Sequence, residues 1–126
     1  MSLIIVDDNE DITEFLACLL SDIGLQVNVF NHPVEALSHI DQHKLTPRLL
    51  ITDYNLPSIN GVELHRLIRL RSPEVRTMVI SGRNAQADVG ELPFLQKPFQ
   101  PEQVIAWVTS DHICQKRLAQ FSVGAS

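Results

Sequence analysis

The sequence predicts an α/β fold: one five-stranded parallel sheet, doubly wound, with helices on both faces. Three observations point to it. Short apolar runs alternate along the chain with longer stretches of helical period, the pattern of repeated strand–helix crossovers. Several runs are apolar at nearly every position, as strands covered on both faces must be. Four runs lead into polar residues, Asp7, Asp53, Ser81 and Lys97, and the strand ends of an open parallel sheet share one ligand-binding edge.

The first strand is Leu3–Val6. A helix follows from Asp11 to Ile23, with Ile12, Phe15, Leu16, Leu19, Leu20 and Ile23 at helical spacing. Gly24 stops it. Gln26–Phe30 alternates apolar and polar side chains and reads as an edge-like strand. Asn31-His32-Pro33 opens the second helix, with the proline in its first turn. Val34, Leu37 and Ile40 are its expected apolar side. Leu49–Thr52 is the third strand, and Asp53 ends it near the centre of the sheet. Gly61–Leu70 is the third helix, with Val62, Leu64, Leu67, Ile68 and Leu70 as its apolar residues.

Arg76–Ile80 and Phe94–Gln96 are the fourth and fifth strands. Only nine residues, Ala85–Pro93, separate the loop after Ser81 from the fifth strand. Gly90 and Pro93 disfavour helix there, so the fourth helix shrinks to one or two turns. The last helix starts at Glu102 and carries Val104, Ile105, Trp107 and Val108. A second stripe of Trp107, Cys114, Leu118 and Phe121 reads as end packing or as a linker or pairing helix. The domain is read as residues 1–121, with a disordered tail over 122–126.

A chain of 126 residues is the size of one domain, and 44% hydrophobic residues is a globular composition. No apolar stretch reaches the about 18 residues of a membrane span. The first apolar run is four residues long and meets two aspartates, unlike a signal peptide. These features favour a cytoplasmic location with no membrane partner. Cys18 and Cys114 show no metal or redox spacing and are read as reduced thiols near a core. Net charge is −5, and the first 43 residues hold eight acids and no Lys or Arg. Such an edge attracts cations and repels nucleic acid, so no direct nucleic-acid binding is expected. Arg66, Arg69, Arg71 and Arg76 read as a solvated face, with a phosphate-binding patch as the alternative.

Gathered at one edge, Asp7, Asp8 and Asp53 repel one another. At about 5 Å and an effective dielectric of about 20, each pair costs about 3 kcal/mol. Such a cluster must bind a cation or hold a proton. Hard oxygen ligands suit Mg²⁺, or Mn²⁺, more than Zn²⁺. A carboxylate can itself accept a phosphoryl group, and Asp53, followed by the turn-like Asn55-Leu56-Pro57, is the best candidate. Lys97 supplies a positive charge and Ser81 a hydroxyl donor for an anionic transferring group.

In Val6-Asp7-Asp8-Asn9, Asp53-Tyr54-Asn55-Leu56-Pro57, Asn60-Gly61, Ser81-Gly82 and Lys97-Pro98-Phe99, the chain resembles a response-regulator receiver domain of two-component signalling. The resemblance runs from about Leu3 to the last helix and implies the flavodoxin-like receiver topology. It implies Mg²⁺-dependent phosphoryl transfer to Asp53 from the phosphohistidine of a histidine kinase or phosphotransfer protein. Such a domain catalyses its own phosphorylation and dephosphorylation, yet serves mainly as a switch of protein contacts. The metal set it implies is Asp7, Asp8, Asp53 and Asn55, with Asp8 direct, Asp7 through water and Asn55 through its carbonyl. Ser81 and Lys97 would bind phosphoryl oxygens, and Ser81 and Phe94 would form the switch. Asn55 and Arg83 would tune the lifetime of the phosphorylated state. The Lys97–Pro98 bond is expected to be cis.

The short fourth helix departs from the family pattern and shifts the expected output surface toward the first or last helix. The output partner or fused domain is not named by the sequence. Three other readings compete. A flavodoxin-like cofactor binder would need a phosphate loop where two aspartates stand. An aspartyl-nucleophile phosphatase would carry its nucleophile on the first strand. A non-phosphorylated pseudo-receiver would serve only as a binding module.

Overall fold

The computed structural model describes residues 2–110. Chain order is β1 (Ser2–Val6), α1 (Glu10–Asp22), β2 (Gln26–Phe30), α2 (Pro33–His43), β3 (Leu49–Asp53), α3 (Gly61–Arg71), β4 (Arg76–Ser81), α4 (Gln86–Val89), β5 (Phe94–Gln96) and α5 (Pro101–Thr109). The strands form one sheet in the order β2-β1-β3-β4-β5, and every pair is parallel. The fold class and each of the ten expected elements are present. The extended C-terminal stripe, Cys114 and the tail lie outside the described residues.

Strand alternation sorts the apolar side chains into two layers. Leu3 and Ile5 of β1, Leu49 and Ile51 of β3, and Met78 and Ile80 of β4 face Leu16 and Leu20 of α1 and Val104, Trp107 and Val108 of α5. Ile4, Val6 and Leu50 face Ala36 and Ile40 of α2 and Leu64 and Ile68 of α3. Fully buried Leu64 and Ile68 are each worth about 1.5–3 kcal/mol. Val79, Ala85 and Val89 make a smaller cluster under α4, joined by Tyr54, Leu92 and Phe94.

Helix ends follow local chemistry. Asn9 caps α1, its side chain accepting from the Asp11 and Ile12 N–H groups, so that helix starts one residue before the expected Asp11. Gly24 takes φ 91° just past it. Asn60 and Glu63 form a reciprocal capping box at the start of α3. α4 is a single turn, and Gly90 at φ 65° follows it, as the shortened fourth helix required.

The structure corrects several expectations. The buried face of α2 is Pro33, Ala36 and Ile40, while Val34 is 53% exposed. A set spaced by three drifts off a 3.6-residue turn, whereas 33, 36 and 40 stay on it. Leu70, expected on the apolar side of α3, is 79% exposed because Leu64 and Ile68 set the opposite face. Phe15 is also exposed. Cys18 is exposed rather than near the core, since Leu16 and Leu20 take the buried positions around it. Of the arginines, Arg66 and Arg69 are exposed, as a solvated face requires. Arg71 instead forks onto Asp41 of α2, at 2.6 and 3.1 Å, and Arg76 stacks over Trp107.

Candidate functional site

β3 and β4 each run one residue further than expected, so Asp53 and Ser81 are the last residues of strands rather than the first of loops. That matters because a strand residue is held by ladder pairing. Asp53 stands opposite Ile80, and the Tyr54 N–H donates to the Ile80 carbonyl at 2.8 Å. The Lys97 N–H donates to the Ser81 carbonyl at 2.7 Å, which draws the β5–α5 loop to the same edge. The Lys97–Pro98 peptide is cis.

Asp7 is fully buried, Asp53 is 6% exposed and Asp8 is exposed. Carboxylate oxygens of all three lie within 4.8 Å of one another. Lys97 Nζ stands 2.8 Å from Asp7 Oδ2 and 3.4 Å from Asp53 Oδ2. Ser81 is fully buried, its Oγ accepting from the Arg83 N–H at 3.3 Å. Asn55 is exposed in the loop after β3, its N–H directed at Asp53 Oδ1 at 3.4 Å. Phe94 is half-buried, stands opposite Val79 and packs into the cluster under α4. The four strand ends thus bring Asp7, Asp53, Ser81 and Lys97 together. Phe94 sits two residues before Gln96, the partner of Ser81 in the ladder.

Charge crowding shows in the protonation behaviour. Burial, then the Asp7 carboxylate, push the Asp53 carboxyl up to about 6 from its ordinary 3.8, against the pull of Lys97 and the Asn55 N–H. Burial works to lower the Lys97 ammonium, but Asp7 and Asp53 outweigh it, so its net shift is upward. Lysine here is a firm cation and Asp53 a carboxylate ready to gain a positive neighbour.

The donor set suits a hard divalent cation. Three carboxylates converge with no His or Cys in the group, the ligand chemistry of Mg²⁺ or Mn²⁺. Asp7 Oδ2 is buried with no aligned hydrogen-bond donor; its contact with Lys97 is an ion pair by distance alone. A buried acceptor with an unfilled direction is costly unless something positive meets it.

Four residues support the site: Arg83, which the family resemblance already singles out, and Asn9, Asn31 and Gly61, to which it assigns no role. The Asn9 N–H donates to Asp7 Oδ1 at 2.9 Å, and Asn31 Nδ2 to the Asp7 carbonyl at 2.9 Å. Asn9 precedes a helix and could have been found as a cap; Asn31 lies 24 residues from its partner and gives no local signal. Gly61 has no room for a side chain: a Cβ there would stand 2.4 Å from the Asp53 carbonyl oxygen. Its N–H closes the β3–α3 loop on the Tyr54 carbonyl at 2.8 Å. Arg83 lies over the Tyr54 ring at 5.1 Å and pairs with Asp88 of α4 at 3.1 Å.

A sequence model of the response regulator receiver domain matches residues 3–109. The chain belongs to that family. Among curated relatives, this receiver is 32% identical to chemotaxis protein CheY1 of Helicobacter pylori, over 81% of this chain and 89% of that protein. It is 28% identical to transcriptional regulatory protein CreB of Escherichia coli, over 94% of this chain but 52% of CreB. The chain therefore spans about half the length of CreB and most of CheY1. A receiver protein from Sinorhizobium medicae superposes with a TM-score of 0.78, covering 87% of this chain and 92% of that one at 23% identity. The receiver domain of the hybrid histidine kinase CckA gives 0.76, covering 87% and 97% at 26% identity. The fold is the flavodoxin-like receiver fold, and among the described residues no helix is long and apolar enough to cross a membrane.

Proposed function

We propose that this receiver accepts a phosphoryl group on Asp53 from a phosphohistidine and thereby switches its protein contacts. The observation that supports this most is the convergence of Asp7, Asp8 and Asp53 with the Lys97 ammonium at the end of the central strand. An Asp53 carboxylate oxygen attacks phosphorus as the nitrogen–phosphorus bond of the donor breaks, and the electron pair leaves with the imidazole. Lys97 turns from the carboxylates to a phosphoryl oxygen, and the Ser81 hydroxyl donates to another. Asp7, Asp8, Asp53 and the Asn55 carbonyl would hold Mg²⁺, which when bound neutralises the carboxylates and the charge on the phosphoryl oxygens. Asn9 and Asn31 keep Asp7 aimed into the site, and Gly61 keeps the β3–α3 loop tight against Asp53. Ser81, drawn toward the phosphoryl group, carries the change to Phe94 and the short α4.

The donor is a histidine kinase or phosphotransfer protein, and the output is another protein or a fused domain in the cytoplasm. This domain itself does not contact nucleic acid, because its ligand-binding edge is acidic. Acetyl phosphate with Mg²⁺ tests the reading by intact mass. One phosphoryl group should appear, and it should be lost with EDTA and in Asp53→Asn. No labelling would favour a pseudo-receiver, and turnover of generic phosphomonoesters would favour a phosphatase.

A further inference from the structure

Arg83 stands beside the phosphoryl site rather than in it, yet two contacts tie it there and a third reaches α4. Its backbone N–H donates to Ser81 Oγ at 3.3 Å. Its guanidinium lies 5.1 Å above the ring of Tyr54, the residue after Asp53. Its Nη1 donates to Asp88 Oδ2 at 3.1 Å. Asp88 belongs to α4, four residues long, whose buried residue is Val89 and whose start is met by Asn84 Oδ1 accepting from the Gln86 N–H at 3.1 Å, with no side-chain bond from the N-cap residue Ala85. A single turn does not hold itself together, because helix nucleation is costly. α4 therefore depends on tertiary contacts, and the Arg83–Asp88 pair joins it directly to the loop that leaves Ser81.

We propose that Arg83 is a partner-exchanging clamp: it holds α4 through Asp88 while Asp53 is unmodified, and moves toward the phosphoryl group once Asp53 carries one. The inference rests on the phosphoacceptor reading above. Both side chains of the present pair are about half exposed, 51% and 45%, and such pairs bias an equilibrium only about two- to fivefold. A phosphoryl dianion offers the planar guanidinium a bidentate and more strongly charged partner. When Ser81 Oγ turns to a phosphoryl oxygen it also leaves the Arg83 N–H, which loosens the backbone at the base of α4. The short α4 is then still coupled to the site, by charge exchange rather than by movement of a long helix.

Linkage gives the test its sign. If binding at Asp53 weakens the Arg83–Asp88 pair by some factor, removing Asp88 must tighten that binding by the same factor. The probe is beryllium fluoride with Mg²⁺, a phosphoryl mimic. Its affinity is measured by titration, and amide exchange is followed over residues 86–92. In the wild-type chain the mimic should speed exchange there. In Asp88→Asn, exchange should already be fast and the mimic should bind about two- to fivefold more tightly. In Arg83→Ala, exchange should be equally fast but the mimic should bind more weakly, with partial recovery in Arg83→Lys. A merely structural role would move affinity the same way in both variants, and that result overturns the clamp, as does unchanged affinity in Asp88→Asn. If the wild-type chain neither binds the mimic nor takes phosphate from acetyl phosphate, the phosphoacceptor reading falls and the clamp with it. Normal labelling with no change in Asp88→Asn removes the clamp alone.

Discussion

Replacing Asp53 with Asn should make the metal-free protein more stable. Folding moves this carboxyl from its ordinary 3.8 to about 6. A raised acid pKa means the native state binds the proton more tightly than the unfolded chain does. Stability from this group therefore falls as pH rises through the interval from about 4 to 6, and the full cost is present above it. A shift of about two units corresponds to about 3 kcal/mol. The lowering effect of Lys97 is already contained in that shift, so loss of the Asp53–Lys97 attraction is not a separate cost. Asn matches Asp in volume and has no charge to desolvate. At pH 7.5 in EDTA, Asp53→Asn should gain up to about 3 kcal/mol, roughly 10 °C in Tm for a domain of this size.

Urea and thermal unfolding followed by far-UV circular dichroism would measure the gain. Two controls make the reasoning specific. The gap between variant and wild type should close as pH falls toward 4, because the wild-type carboxyl is then protonated. Saturating Mg²⁺ should also narrow it, since a ligand that binds only the native state stabilises in proportion to its excess over Kd. A variant no more stable than wild type at pH 7.5, or a gap that persists at pH 4, would refute the assignment of the cost to the Asp53 charge.

Further outcomes follow from the same structure. Mg²⁺ affinity, measured by calorimetry, should fall about tenfold per pH unit below about 6, because one proton must leave Asp53 before the ion binds. Gly61→Ala places a Cβ against the Asp53 carbonyl oxygen, so it should cost about 1–3 kcal/mol in urea unfolding and weaken Mg²⁺ binding as the loop shifts. Asn60→Ala removes half of the capping box of α3 and should cost about 1 kcal/mol while leaving Mg²⁺ affinity near wild type, separating helix stability from site geometry. His65, whose Nδ1 lies 2.7 Å from Thr77 Oγ1, is depressed by burial and then by Arg69 and Arg66. Its NMR titration should have a midpoint below the ordinary value of about 6.5, with its contribution to stability lost as pH falls through that interval.

What could be read from the chain was what short-range chemistry specifies. Val6-Asp7-Asp8, Asp53, Ser81 and Lys97 were legible because a parallel sheet brings every strand end to one edge, whatever the loops between them do. The one-turn α4 was legible because Gly90 and Pro93 act on their own backbone. The α2 face was misread because a set spaced by three drifts off the helical turn, so Val34 was included where Pro33 and Ala36 keep register with Ile40. Cys18 was misread because Leu16 and Leu20, on either side of it along α1, turn their own face to the core and leave it outside. The aim of Asp7 depends on Asn31, and the closeness of Gly61 to Asp53 on the path of a whole loop; neither leaves a periodic trace. Lys97 illustrates the limit well. Its place at the site was evident, but its nearer partner in the resting state is Asp7 Oδ2 rather than Asp53.

That resting partner bears on how the proposed phosphoacceptor site is held before it reacts. A buried Asp7 without a cation would be a severe defect, and Lys97 relieves it only in part, leaving Asp7 Oδ2 without an aligned donor. Asp53 lies further from the ammonium, and burial and the Asp7 charge together hold its carboxyl up at about 6 against the pull of Lys97. Two carboxylates thus share one ammonium, and neither is fully served. On the proposed reading, a divalent cation held by Asp7 and Asp8 would free Lys97 without leaving a buried charge alone. The ammonium would then be available to a phosphoryl oxygen while Asp53 is ionised. On the proposed reading, the charge around Asp7 favours one order, cation first and phosphoryl group second.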